Sequence, residues 1–408
     1  MKGFHERVIL FGKVLLGVLI FGGIVLVMLC VTGQESELVT RQFFQLPKRV
    51  KDEQQKSVEQ TKEGKVTDEQ IYEELARYTS RVKRVICEEK DIVRLVLGGD
   101  VLLDDEYAMM ATYRSKGSSL ENAFSQDLIT YMRSADVFVV NNEFTFTDRG
   151  TPTQGKKFTF RAKPSDVSFY YEMGVDVVSL ANNHAYDYGE ISLLDTMDTL
   201  EGADIAYVGA GKNLEEAMQP YYFVANGMKI ALIAATQIER LDSPDTKGAT
   251  EYSPGVLRCL DVENVLQVIE TTKQYADFII LYVHWGTENQ QEIDWWQKEQ
   301  AQIFASSGVD IIVGNHPHCL QKVEYVEGVP VVYSLGNFWF NSKTVETGLL
   351  EITFLGEGID LRFVPCLQAE CRTVMLQGEK KQNVLNTLRA ISPDVWIDKE
   401  GYISAQGK

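Results

Sequence analysis

Residues 309–319 read VDIIVGNHPHC, a β-branched apolar run that ends in a glycine, an asparagine and two histidines bracketing a proline. Only five histidines occur in 408 residues, so two of them in one tripeptide ask for a reason. Proline disfavours the helical region for the residue before it, which predicts an extended His316. Residues two apart in an extended chain point to the same side, so His316 and His318 would aim their imidazoles at one point. A strand-end loop whose histidines only hydrogen-bond accounts equally well for an isolated His-x-His. The rest of the chain has to decide.

Working outward, short β-branched runs alternate with longer amphipathic segments from Asp91 onward. The runs are 92–98, 136–140, 175–180, 229–235, 277–283, 309–314 and 330–335; the amphipathic segments include 189–201, 261–275 and 294–306. Alternation of this kind predicts an α/β domain with buried sheets. The runs at 349–355 and 359–365 have no helix between them, so part of the sheet is expected to be antiparallel. A helix is expected around Gln382 to Ile391.

Polar residues fall at the ends of these runs. Asp100 follows the first, Asn142-Glu143 the second, Asn182-Asn183-His184 the third, His284 the fifth and His316/His318 the sixth. Ligands of α/β folds bind outside the carboxyl ends of strands. Five runs ending in metal-type donors are more than scattered loop polarity explains. Carboxylate, amide and imidazole donors without thiolate suit Mn, Fe, Zn or Mg. The donors outnumber the needs of one four-coordinate ion, so two divalent ions are expected; such a pair lowers the pKa of a shared water.

Composition bounds the remainder. The hydrophobic share of 45% and charged share of 24% are those of a globular chain, and the net charge of −18 argues against nucleic acid as a partner. Residues 14–34 carry no charge and are long enough to cross a bilayer, with Lys2, Arg7 and Lys13 before them and Glu35 and Glu37 after. The expectation is a cytoplasmic segment at 1–13, a retained transmembrane helix at 14–34 and an extracytoplasmic remainder. Residues 35–91 read as a solvated stalk, with a capping box at Thr67 and Gln70 opening a helix that leads toward residue 86. The domain proper is expected at 92–376, with a carboxyl-terminal extension at 377–408. Six cysteines are scattered without Cys-x-x-Cys spacing; Cys366 and Cys371 are the one close pair, their redox state open.

The ordered set GGDVLL, NNEFTF, FRAKP, SLANNHAYDYG, VHWGTE, GNHPH and YSLGNFWF, over roughly residues 93–340, resembles the CapA family of poly-γ-glutamate capsule biosynthesis proteins. That family lies within the calcineurin-like metallophosphoesterase superfamily. The resemblance implies a four-layered α/β/β/α sandwich. It implies Asp100 and His318 as ligands of one metal, Asn183, His284 and His316 as ligands of the second, and Glu143 as the bridging carboxylate. It gives His184 the part of the histidine that steadies the reaction or protonates the leaving group. Tyr186 and Asp187 resemble residues that orient the ligands.

Two departures from the superfamily stand out. Its Asp-x-His motif is here Asp100-Val101-Leu102, without the histidine, and its bridging aspartate is glutamate. Residues 149–163 carry five basic residues and no acidic one, a local anion-attracting patch in an acidic chain, with Arg161 able to grip a carboxylate or phosphate bidentately. Trp285 and Trp339 are expected in the core. Two functional readings follow. One is a membrane-anchored, extracytoplasmic, metal-dependent hydrolase or transferase in poly-γ-glutamate synthesis, export or anchoring, with His184 and Arg161 as catalytic residues. The other is a non-catalytic, metal-bearing, polymer-binding subunit of a cell-surface assembly. Both make the membrane, an anionic polymer and other membrane subunits the expected partners.

Overall fold

A period of two runs through every central strand and sorts its side chains between two faces. In Ile92–Val101, Val93, Leu95 and Leu97 join one apolar cluster while Val96 joins another. In Phe278–His284, Ile280 and Tyr282 enter that same first cluster, and Ile279, Leu281 and Val283 enter a third. Two sheets therefore share one core between them and present their other faces to helices. The layer order is α/β/β/α.

This computed structural model describes residues 66–239, 246–356 and 358–406, with the strands Gly17–Phe21 and Ile24–Met28 at the amino terminus. Those two strands pair antiparallel in a unit of their own, Met1–Gly64. The expected transmembrane helix at 14–34 otherwise lies outside the described residues, as does most of the stalk. Among the described residues no helix is long and apolar enough to cross a membrane.

The larger sheet runs Val395–Ile397, Tyr402–Ala405, Gly358–Ala369, Val345–Leu355, Ile92–Val101, Val137–Asn142, Val177–Ser179 and Ala206–Val208, with Asn337–Trp339 beside Ile92–Val101 and Arg372–Met375 beside Gly358–Ala369. The second runs Val323–Val326, Val329–Val332, Ile311–Asn315, Phe278–His284, Met228–Thr236, Tyr221–Ala225 and Val82–Arg84. The Val345–Leu355 and Gly358–Ala369 strands are antiparallel, as their bare connection predicts. The four strands from Ile92–Val101 to Ala206–Val208 are mutually parallel, and so are Met228–Thr236, Phe278–His284 and Ile311–Asn315.

The helices Gln126–Arg133 and Glu190–Gly202 cover the larger sheet through Leu128 and Leu193. Glu263–Thr272 and Trp295–Ser307 cover the second through Val265 and Phe304. Gly378–Ile391 sends Val384, Leu385 and Leu388 into the core between the sheets. Trp285 and Trp339 are fully buried core residues, as expected.

Thr67 and Gln70 do form the capping box, but the helix they open is Asp68–Leu75 and does not reach residue 86. Val82 and Val85 beyond it are buried, and Val82–Arg84 adds an edge strand beside Tyr221–Ala225. Burying β-branched side chains on a sheet edge wins there over helix propagation. Cys366 and Cys371 are buried free thiols.

Candidate metal centre

Parallel register sets the donors of each sheet side by side. Asp100 pairs with Asn141 on one neighbouring strand and with Asn337 on the other, while His284 pairs with Thr236 and with Asn315. The approach is tight: a Cβ on Gly99 would lie 1.9 Å from the Gly336 carbonyl oxygen, so the residue before Asp100 has no room for a side chain. Beneath, the Tyr282 hydroxyl donates to the Gly98 carbonyl and ties one sheet to the other.

Seven of the eight residues expected from sequence gather here, and Arg161 instead meets Asp104 through its amide and Tyr188 through its guanidinium. Glu143 is central and fully buried. Its Oε1 is 3.6 Å from His284 Nε2, 3.9 Å from His318 Nε2 and 4.0 Å from His184 Nε2. These spacings are too long for hydrogen bonds and match those between ligands around a shared ion, whose bonds are each about 2.0–2.2 Å. Asn183 Oδ1 and His316 Nδ1 stand 2.9 and 3.0 Å from His284 Nε2. Asp100 Oδ2 is 3.1 Å from His318 Nδ1. Two sets of ligand atoms gather closely enough to hold a cation: Glu143 with His316 and His318, and Asp100 with Glu143 and His284.

The residues fit such an ion. Asp100 Oδ2 and both carboxylate oxygens of Glu143 are buried without a hydrogen-bond partner among the described residues. A buried, unsatisfied polar group costs roughly 1–3 kcal/mol, more when charged. One or two divalent cations held by Asp100 and Glu143 would give these oxygens partners, and the donor set holds no thiolate.

The donors differ in how firmly they hold a proton. Burial, reinforced by the charge of Asp100, pushes the Glu143 carboxyl well above the usual carboxylate range. Burial pushes His284 and His316 well below the usual imidazole range, and the neighbouring imidazoles push further. Burial also lowers His184, against the pull of Asp187. His318 is the exception: burial would lower it, and adjacent Asp100 more than offsets that. Neutral His284 and His316 are what a metal requires, whereas Glu143 and His318 must give up a proton to bind one.

One local expectation fails. His316 is not extended: its φ is +95° and that of His318 is +57°. Each such non-glycine residue costs about 1–3 kcal/mol and persists only where its surroundings dictate it. Here the flanking backbone is held by bonds from Trp285 N to the Asn315 carbonyl (3.0 Å) and from Asn289 N to the Pro317 carbonyl (2.8 Å). The two imidazoles converge by strain in the loop, not by strand alternation.

The basic stretch is also less of a patch than its composition predicts. Arg149 pairs with Asp195, Lys156 with Asp187 and Lys163 with Asp105. Lys157 lies over Phe158, and the Arg161 guanidinium lies over the Tyr188 ring, 4.6 Å from its centroid. Neither of these two charges meets a carboxylate among the described residues. Asp187 orients His184 as expected, its Oδ2 2.7 Å from His184 Nδ1, whereas Tyr186 reaches only Glu190 at 3.4 Å.

Two supporting residues, Asn141 and Asn337, were missed by sequence reasoning, and Asn182, read there as a strand-end donor, acts as support to Asn141. Asn141 Nδ2 donates to Asp100 Oδ1 at 2.8 Å and stands 3.3 Å from His284 Nδ1. Asn182 donates to Asn141 Oδ1 at 3.0 Å and accepts from the His184 amide at 3.0 Å. Asn337 Oδ1 accepts from His318 Nδ1 at 2.8 Å. Asn141 and Asn337 sit inside quoted motifs, but only cross-strand register shows that they flank Asp100.

A two-sheet α/β/β/α sandwich with a buried carboxylate, amide and imidazole cluster at its strand ends defines a candidate metal-binding α/β protein. Residues 94–342, more than half of the chain, match the family described as bacterial capsule synthesis protein PGA_cap, and the chain belongs to that family. It is 28% identical to the PGA biosynthesis protein CapA of Bacillus subtilis (strain 168) over 306 residues, 72% of this chain and 79% of that one. It is 33% identical to the capsule biosynthesis protein CapA of Bacillus anthracis over 203 residues, 48% of each chain, and so spans about half of that relative's length. A 5'-nucleotidase structure from Candida albicans aligns at a TM-score of 0.37 and 10% identity over 67% of this chain and 52% of that one, too slight a likeness to build on.

Proposed function

We propose that this protein serves poly-γ-glutamate synthesis, export or anchoring at the outer face of the cell membrane, and that its buried centre is a metal-dependent hydrolase or transferase site. Membership of a capsule synthesis family supports the polymer. The observation that carries the chemistry is Glu143 Oε1, unpartnered and ringed by the Nε2 atoms of His184, His284 and His318 at 3.6–4.0 Å.

Asp100, Glu143, Asn183, His284, His316 and His318 would hold one or two divalent ions of the Mn, Fe, Zn or Mg type. Such an ion supplies Lewis acidity toward a phosphoester or a γ-glutamyl amide. With Asp187 holding its Nδ1, His184 takes up or returns a proton at Nε2, the atom facing the centre. Arg161, whose guanidinium meets no carboxylate among the described residues, binds an anionic group of the substrate; its planar fork suits carboxylate or phosphate. The uncharged run at 14–34 is the proposed anchor.

A second reading, a non-catalytic polymer-binding subunit, draws on one observation. The place of the Asp-x-His histidine is taken by Leu102, buried in the apolar cluster under the helices. An ion beside Asp100 then has fewer protein ligands.

The test is metal analysis of the purified full-length chain, followed by a screen for phosphoester and γ-glutamyl hydrolysis. Metal with turnover that His184→Ala abolishes upholds the enzyme; metal with polymer binding and no turnover leaves the second reading. Arg161→Lys, which keeps charge and loses the fork, should weaken anion binding more than Lys157→Ala. Equal effects would reduce the stretch to a general electrostatic surface.

A further inference from the structure

The loop that carries Asn183 and His184 has neither strand nor helix to hold it. Residues 182–188 are turns that follow the short Val177–Ser179 strand and precede the helix Glu190–Gly202. Such a segment takes its shape from side-chain and cross-chain bonds. Asn182 supplies some of those bonds, to Asn141 and from the His184 amide, and residues 153–160 supply others. Thr153 N donates to the Asp187 carbonyl at 2.8 Å, Phe160 N donates to Asp187 Oδ2 at 2.6 Å, and the Phe160 ring lies 4.3 Å from the His184 ring.

Lys156 stands at the middle of this contact and behaves unlike a surface lysine. Lysine ordinarily keeps its ammonium in water and buries only its stem. Here the side chain is 5% exposed, and Nζ donates both to Asp187 Oδ1, at 2.6 Å, and to the backbone carbonyl of Asn183. Asp187 is fully buried and divides its carboxylate, Oδ1 to Lys156 and Oδ2 to His184 Nδ1 and Phe160 N. One ammonium thus fixes the main chain of a proposed metal ligand and the carboxylate that orients the neighbouring histidine.

We propose that Lys156 is a positioning residue of this centre, setting Asn183 and His184 toward the ion by bridging the Asn183 carbonyl and Asp187. The inference rests on the metal reading above. A charge buried with its partners leaves an uncompensated carboxylate when it is removed, so the loop must rearrange, and outer partners of metal ligands typically carry about 10–100-fold in affinity.

Two measurements on the full-length chain keep the inference and its premise apart. Amide hydrogen exchange of the metal-free protein reads the clamp directly. Lys156→Met should speed exchange at Phe160 and in the 182–188 loop while leaving the Ile311–Asn315 strand protected. Titration with Mn2+ alone should then show roughly tenfold or greater weakening for Lys156→Met, with Lys156→Arg recovering most of it and Lys157→Met unchanged. Unaltered loop exchange, or wild-type Mn2+ affinity in Lys156→Met, overturns the positioning role. Should Lys156→Met fail to fold, the comparison of Lys156→Gln, which keeps a donor and loses the charge, with Lys157→Gln decides, an unaltered loop and affinity in both sinking the proposal. A wild-type chain that binds no Mn2+, Zn2+, Fe2+ or Mg2+ overturns the metal reading instead, and the exchange result still judges the clamp.

Discussion

Asn337 Oδ1 accepts a hydrogen bond from His318 Nδ1 at 2.8 Å. The two residues lie in different motifs, one on the Asn337–Trp339 strand and one in the strained loop after Ile311–Asn315. With Nδ1 so occupied, His318 presents Nε2 to Glu143. Asn337→Leu should therefore weaken divalent-ion binding by about 10–100-fold. Calorimetric titration of the full-length chain measures it, and wild-type affinity would show that Asn337 does not set the tautomer.

Unequal consequences are expected from the two histidines of GNHPH. His316 Nδ1 and Asn183 Oδ1 both stand within 3.0 Å of His284 Nε2, a nearly complete ligand set. His318 has Asp100 and Glu143 beside it but no Asp-x-His histidine. His316→Ala should strip a tightly held ion, whereas His318→Ala should change stoichiometry little and still reduce any hydrolysis that needs two ions. The measure is metal per chain after dialysis against trace metal. Full metal content in both folded variants would make the histidines structural.

The metal-free protein should lose stability in acid, in part through His316. Burial holds its imidazole well below the usual range. Below about pH 6.5 the unfolded chain takes up a proton there that the folded chain refuses, so stability falls as pH falls. His316→Gln removes that difference and should flatten the decline between about pH 6.5 and 5 by up to about 1.4 kcal/mol per pH unit. His318, raised beside Asp100, acts with the opposite sign. Its contribution is fully present below about pH 6.5 and is lost as pH rises from there through the folded value, so His318→Gln should remove a loss of stability above about pH 6.5 and leave the slope below it nearly unchanged. Urea unfolding followed both below and above about pH 6.5 reads both, and parallel curves for all three proteins would sink the assignment.

Gly99 should tolerate no side chain. Its added Cβ would lie 1.9 Å from the Gly336 carbonyl oxygen, in backbone that cannot give way. Gly99→Ala should cost about 3 kcal/mol or more, at the upper end of overpacking effects. Gly155→Ala, at φ +80° with open space around it, should cost only about 1 kcal/mol of backbone strain. Denaturant midpoints compare the two, and equal losses would deny the tight strand approach.

The sequence by itself determined the α/β alternation, the strands and the donors at their ends. Period-two burial is local, and a run such as 277–283 states both its strand and the position of His284 after it. It also determined the family, because motif order is a linear property. Tertiary structure decided whatever depends on register and on one segment lying against another. Asp100 acquires Asn141 and Asn337 as neighbours only when three parallel strands align. Lys156, one of five similar basic residues by composition, became a buried tie because its segment packs against the loop from Asn183 to Asp187. His316, beside a proline that favours extended backbone, took a positive φ because the fold fixes the chain on both sides of it. Each of these outcomes balances a local preference of about 1–3 kcal/mol against packing summed over distant residues. That sum is written in the assembled sheets, and no window of sequence contains it.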